Sequence, residues 1–238
     1  MNQLINYTNK NTELIRDEVQ KLHTIISNNK NNNNNNTSNN SNDKEAKNNK
    51  ENNENSINCG LQTKTYHNGR YEGEMVNDIR EGKGIIYYNS GDKYEGDWKD
   101  DKKEGKGIYY FKSGNKYEGE WKNNKKEGKG VFDYKDGDRY EGDWKNGNKE
   151  GKGIYYFNDG ERYEGDWTND RCEGKGIFYY NNGDIYQGDF KNDKREGQGI
   201  MYYKNGDREM GNYIGGRKTG KHVKFRKDGE IITELYVL

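Results

Sequence analysis

From about Leu61 onward the chain alternates apolar and polar residues with a period of two, the mark of strands that bury one face. In Lys93–Lys99, residues Tyr94, Gly96 and Trp98 share one face; Glu95, Asp97 and Lys99 share the other. A polar turn over Asp100–Gly105 follows, then a second strand over Lys106–Lys112. A Ser-Gly, Asp-Gly or Asn-Gly pair closes each unit, at Gly91, Gly114, Gly137, Gly160, Gly183 and Gly206. Such pairs supply the positive φ that tight turns need. No helical period separates the strands, so the pattern predicts an antiparallel meander.

The unit repeats every 23 residues. Tyr-Glu-Gly begins at Tyr71, Tyr94, Tyr117, Tyr140 and Tyr163, becomes Tyr186-Gln187-Gly188, and ends as Glu209-Met210-Gly211. Four residues after each start stand Met75, Trp98, Trp121, Trp144, Trp167, Phe190 and Tyr213. The second strand opens on Gly-Lys-Gly in five units, and a β-branched aliphatic always follows, from Ile85 to Val223. A fixed period of this size marks a stacked array with nearest-neighbour stability. Glycine normally weakens a strand; between two same-face aromatics it leaves flat backbone over which a neighbouring strand's ring can lie. Rings and glycines are thus one device. About fourteen strands at roughly 4.8 Å spacing predict a ribbon about 65 Å long. The Glu and Lys of the outer face are expected to be solvated.

The flanks differ. Residues 1–27 carry one apolar helical stripe, Ile15, Val19, Leu22 and Ile26, with Thr12 as a cap. It reads as a docking helix or as a frayed arm, too short to hold a coiled coil alone. Residues 28–60 are Asn-rich and read as a disordered linker. Residues 61–238 are the β-sheet domain. At its end Glu209 replaces Tyr, His222 replaces Gly, and an aliphatic half-unit runs from Gly229 to Leu238. Tyr213, Ile232, Leu235, Tyr236 and Leu238 are expected to form a dimer edge.

Composition narrows the class. Hydrophobic residues are 27% of the chain, with 21 tyrosines, 32 glycines and no proline, so burial must be ring against ring in a thin structure. Lys plus Arg and Asp plus Glu both number 41, which argues against nucleic acid as a partner. Two cysteines fit a reducing compartment. No apolar run reads as a signal peptide or membrane span, so the expected address is cytoplasmic.

The motif Tyr-Glu-Gly-Asp-Trp-Lys, followed by Glu-Gly-Lys-Gly-Ile and Asp-Gly, resembles the membrane occupation and recognition nexus (MORN) repeat, over about residues 66–238. The resemblance implies an all-β, elongated, single-layer, twisted antiparallel meander of about seven β-hairpin repeats with an aromatic trough. It also implies a non-catalytic scaffold, often dimeric through end repeats, at cytoskeletal or membrane-apposed assemblies. Phospholipid binding, or service as an accessory subunit of a lipid kinase or axonemal complex, are the alternatives.

Candidate chemistry is sparse. Gly215–Lys221 imitates a phosphate-binding loop, yet His222 stands where Ser or Thr would hold magnesium and no helix follows. Turns such as Asn146–Gly151 imitate a calcium loop, with Phe157 in place of the bidentate Glu. No catalytic constellation, metal site or cofactor is expected. Cys172 replaces a turn Lys or Arg and reads as an exposed thiol. The trough rings Tyr94, Trp98, Tyr117, Trp121, Tyr140, Trp144, Tyr163 and Trp167 are the expected contacts for a partner protein. Arg217, Lys218, Lys221, Lys224, Arg226 and Lys227 form a basic cluster suited to acidic lipid or an acidic partner.

Overall fold

The computed structural model of the chain describes residues 59–237. The helical stripe expected within 1–27 lies outside them, as does the linker except for Cys59 and Gly60, which open the first strand. Two compact units divide at Lys112 and Ser113. The first holds β1 (Cys59–Tyr66), β2 (Gly69–Val76), β3 (Ile79–Tyr88), β4 (Lys93–Lys99) and β5 (Lys102–Tyr110). The second holds β6 (Lys116–Lys122), β7 (Lys125–Asp133), β8 (Arg139–Lys145), β9 (Asn148–Tyr156), β10 (Arg162–Thr168) and β11 (Arg171–Tyr179). It continues with β12 (Ile185–Lys191), β13 (Lys194–Tyr202), β14 (Arg208–Ile214), β15 (Arg217–Phe225) and β16 (Ile231–Tyr236). Within each unit every strand pairs antiparallel with the next, so each is a meander. The strand total exceeds the expected fourteen because β1 precedes the first full repeat and β16 follows the last.

The first turn of each hairpin is tighter than Asp100–Gly105. Only Asp100 and Asp101 turn, with φ of 48° and 62°, and β5 resumes at Lys102. Asn and Asp tolerate this left-handed pair, and its twist matches that of the strands. The extra residues are absorbed by a β-bulge opposite Gly96 and Asp97. There Gly105 takes φ +59° while Asp97 accepts the Lys106 N–H at 2.8 Å. The two glycines of Gly-Lys-Gly therefore do different work: Gly105 permits the bulge, and Gly107 seats a ring.

That ring belongs to the same hairpin. Tyr94 folds over Gly96 on its own strand and Gly107 directly opposite, so a Cβ at either glycine would strike the tyrosine. Its hydroxyl donates to the Asp97 carbonyl at 2.9 Å. The Trp then ties one hairpin to the one before: Trp98 Nε1 donates to the Gly84 carbonyl, Trp144 to Gly130 and Trp167 to Gly153, each at 3.2 Å. Trp144 also meets Tyr117 of the preceding repeat edge-on at 5.2 Å.

The opposite face is not simply solvated. Ile85 and Ile108 are buried there, with Tyr87 and Tyr110 packed on them. Glu95 lies between the two isoleucines in register and is itself buried. Its carboxylate accepts from Tyr110 at 2.7 Å and pairs with Lys93 at 3.0 Å. The β-branched residue after Gly-Lys-Gly points to this face, in register with the Glu of the neighbouring strand. Acidic turn residues also couple successive repeats: Asp92 accepts the Lys112 N–H at 2.7 Å, which leads the contacts holding its carboxyl below the ordinary range.

Candidate interaction surface

The eight trough rings are interior. Tyr94, Tyr117, Tyr140 and Tyr163 are fully buried, and Trp98, Trp121, Trp144 and Trp167 are at most 6% exposed. This corrects the expectation that they meet a partner directly: glycine seats draw each tyrosine down, and the preceding hairpin covers Trp98, Trp144 and Trp167. Burial pushes the Tyr94 hydroxyl far above its ordinary range.

The rings that reach solvent sit at the ends of the second strands. In the second unit Phe132, Tyr134, Tyr155, Phe157, Phe178 and Tyr180 touch in sequence, with centroids 4.5, 5.8, 4.7, 5.7 and 4.6 Å apart. Phe132 is buried and the other five are half-buried. The first unit carries the start of such a row in Tyr88, Tyr109 and Phe111. Counting by twos from Gly107 places Tyr109 and Phe111 on the Tyr94 face, which is the signal that locates this row.

A ladder of cations runs beside the rings. Arg80, Lys103, Lys126, Lys149, Arg195 and Lys218 occupy one position of the repeat, and each lies over aromatic rings. Arg80 is 4.2 Å from the Trp98 centroid and Lys126 3.7 Å from that of Trp144. Burial lowers the Lys103 and Lys126 ammonium groups to about 8. Cys172 fills the same position in one repeat. It lies on β11 and is partly buried, so it is neither a turn residue nor an exposed thiol; burial and then Asp193 push the thiol up to about 12.

The basic cluster is partly neutralised by folding. Lys218 pairs with Glu209 at 2.6 Å, Lys224 with Asp207 at 3.3 Å and Arg226 with Glu230 at 2.6 Å. Arg217, Lys221 and Lys227 remain exposed. Strand pairing brings in acids that linear spacing keeps apart. Gly215 and Gly216 form a hairpin turn and Arg217–Lys221 lie in β15, so the phosphate-loop imitation is a strand. Among the described residues no group of three or more His, Cys, Asp or Glu could hold a metal ion, and no helix is long and apolar enough to cross a membrane.

Six consecutive stretches, residues 71–93, 94–116, 117–139, 140–162, 163–185 and 186–208, match the family model described as MORN repeat. The chain belongs to the MORN repeat family. Comparison with curated proteins finds no match. Among solved structures, the chain is similar to the SAS-4 (dCPAP) TCP domain of Drosophila melanogaster, in complex with a proline-rich motif of Ana2. The identity is 14% and the TM-score 0.44, over 74% of this chain and 90% of that one. It is also similar to the TCP10 domain of Danio rerio CPAP, at 14% identity and TM-score 0.46 over 72% and 82%.

The matched MORN repeats stop at Arg208, where the pattern is exchanged rather than lost. Glu209 occupies the Tyr position and His222 the Gly position opposite. The His222 ring now covers Gly211, and both residues are buried. His222 Nδ1 lies 2.9 Å from the Glu209 carboxylate and Nε2 2.9 Å from the Asn212 carbonyl. Burial pushes the Glu209 carboxyl up, but Lys218 and Tyr203 beside it bring it below the ordinary range. Tyr213, expected at a dimer edge, is fully buried; Ile232 and Tyr236 are half-buried, Leu235 is 74% exposed, and Leu238 lies outside the described residues.

Proposed function

We propose that this MORN protein is a non-catalytic scaffold whose ring-bearing face binds an extended segment of a partner protein. The observation that carries this reading is the continuous row Tyr134, Tyr155, Phe157, Phe178 and Tyr180. Half-buried aromatics held rigidly on a sheet offer apolar area at little entropic cost. The ladder lysines beside them supply donors for the segment's carbonyls and carboxylates. Paired acids leave the basic cluster with less net charge than an anionic membrane surface favours. The exposed side chains of β16 offer an edge for a second copy, which suits a scaffold at a cytoskeletal or membrane-apposed assembly.

A photoreactive phenylalanine analogue at Tyr134 tests the partner-binding reading in the native cell. Protein adducts formed at Tyr134, absent when the analogue replaces exposed Lys175 on the other face, and lost with Tyr180→Ala, are the expected result. Equal labelling from both faces overturns it. For self-association, Leu235→Lys should convert dimer to monomer by light scattering; an unchanged mass removes β16 as the interface.

A further inference from the structure

Cys172 interrupts the cation ladder, and among the described residues no other cation lies over Tyr163 or Phe190. A cavity of 250 Å³ opens there, lined among others by Tyr163, Phe178, Phe190, Cys172 and Asp193. The Arg80 register, four repeats earlier, shows what the position ordinarily holds. Arg80 lies over Tyr71 and Trp98, its backbone N–H donates to Asp101 Oδ1, and its Nε donates to the same oxygen at 2.9 Å.

At Cys172 every other part of that arrangement is kept. Tyr163 stands for Tyr71 and Phe190 for Trp98, meeting edge-on with centroids 4.9 Å apart. Asp193 stands for Asp101 and accepts the Cys172 N–H at 2.8 Å. Asp193 is exposed and forms no ion pair among the described residues. Only the long cationic side chain is missing. The neighbouring cation, Lys149, borders the cavity but lies over Tyr134, Tyr140, Tyr155 and Trp167 of its own register. Asp170, also in the lining, offsets its charge.

We infer that the aromatic cavity at Cys172, with Asp193 at its rim, is a receptor for one arginine or lysine side chain of the partner protein. The incoming cation completes the ladder from outside: its charge meets the half-buried Phe157 and Phe178 rings of the cavity lining and its N–H groups the Asp193 carboxylate. Arginine fits better than lysine, because a planar guanidinium stacks on rings and still reaches a carboxylate. The identity of the ligand as a partner side chain rests on the protein-binding reading above; the cavity's preference for a cation does not.

The test is an NMR titration of the full chain with N-acetyl-arginine methylamide, and with its neutral citrulline counterpart. Saturable shifts at Cys172, Phe190, Asp193 and the Trp167 indole are expected with the arginine probe. Citrulline should bind at least about tenfold more weakly. Asp193→Asn should weaken the arginine probe, and Cys172→Arg should abolish its binding while raising the melting temperature, since the chain then fills its own site. Cys172→Met, which fills the cavity without charge, should abolish binding too and serves if the arginine variant misfolds. Equal shifts from citrulline, no saturable shift with the arginine probe, or shifts retained when the cavity is filled overturn the inference. Each of those results leaves the Tyr134 crosslinking outcome unaffected, so the two readings fail separately.

Discussion

His222 Nδ1 lies 2.9 Å from Glu209 Oε1, and these two residues stand where the other repeats place glycine and tyrosine. In each earlier repeat a tyrosine crosses from one strand to cover a glycine on the next. Here the ring comes from the opposite strand and the short acid receives it. Space is filled either way, but the last version buries a charge.

The exchange predicts strong coupling. Glu209→Ala or His222→Gly alone should cost roughly 3–5 kcal/mol, because each strands a buried polar partner or empties a seat. The double change Glu209→Tyr with His222→Gly restores the repeat's own arrangement and should recover most of that loss. Urea unfolding of the single and double variants measures it; additive losses would refute the pairing.

Gly153 seats the Tyr140 ring, and a Cβ there would fall within it. Gly153→Ala should destabilise by about 1–3 kcal/mol through overpacking. Gly160→Ala meets open space and bears only the cost of its φ of +93°, about 1 kcal/mol. Thermal unfolding of the two variants separates a seat from a turn.

Tyr213 occupies the Trp position, is fully buried, and its hydroxyl has no hydrogen-bond partner among the described residues. The preceding repeat carries Phe190 at this place. Tyr213→Phe should therefore stabilise the fold by roughly 1 kcal/mol, since it removes an unsatisfied group and keeps the ring contacts. A lowered denaturation midpoint would show that the hydroxyl is paired in solution.

The ladder lysines set an alkaline stability profile. Lys103 and Lys126 have folded values near 8 against 10.5 when unfolded, so from about pH 8 upward the unfolded chain holds more protons than the folded one. Stability should rise with pH in that range. Buried tyrosines act oppositely: Tyr134 is raised by burial from 10.0 to about 12, so ionisation of the unfolded chain lowers stability above about pH 10. Lys103→Met with Lys126→Met should flatten the rise between pH 8 and 10 in urea titrations. An unchanged slope would mean that ring contact keeps both ammonium groups at their ordinary values.

The sequence by itself determined the architecture. Strand alternation, the 23-residue period and the pairing of ring with glycine are local and repeated, so each unit reports the others' environment. Tyr94, Gly96 and Trp98 could be placed on one face because alternation leaves no other choice. Tertiary structure decided which rings remain open, since covering Trp98 takes residues of another hairpin, Arg80 and Gly84. It also decided that Glu95 is buried and that Lys218 is neutralised by Glu209, because strand register sets which side chains meet. The vacancy at Cys172 depends on both levels: the period reveals that a cation is missing, and only packing shows that its rings and carboxylate remain in place. Period and face are properties of a strand; exposure and charge are properties of its neighbours.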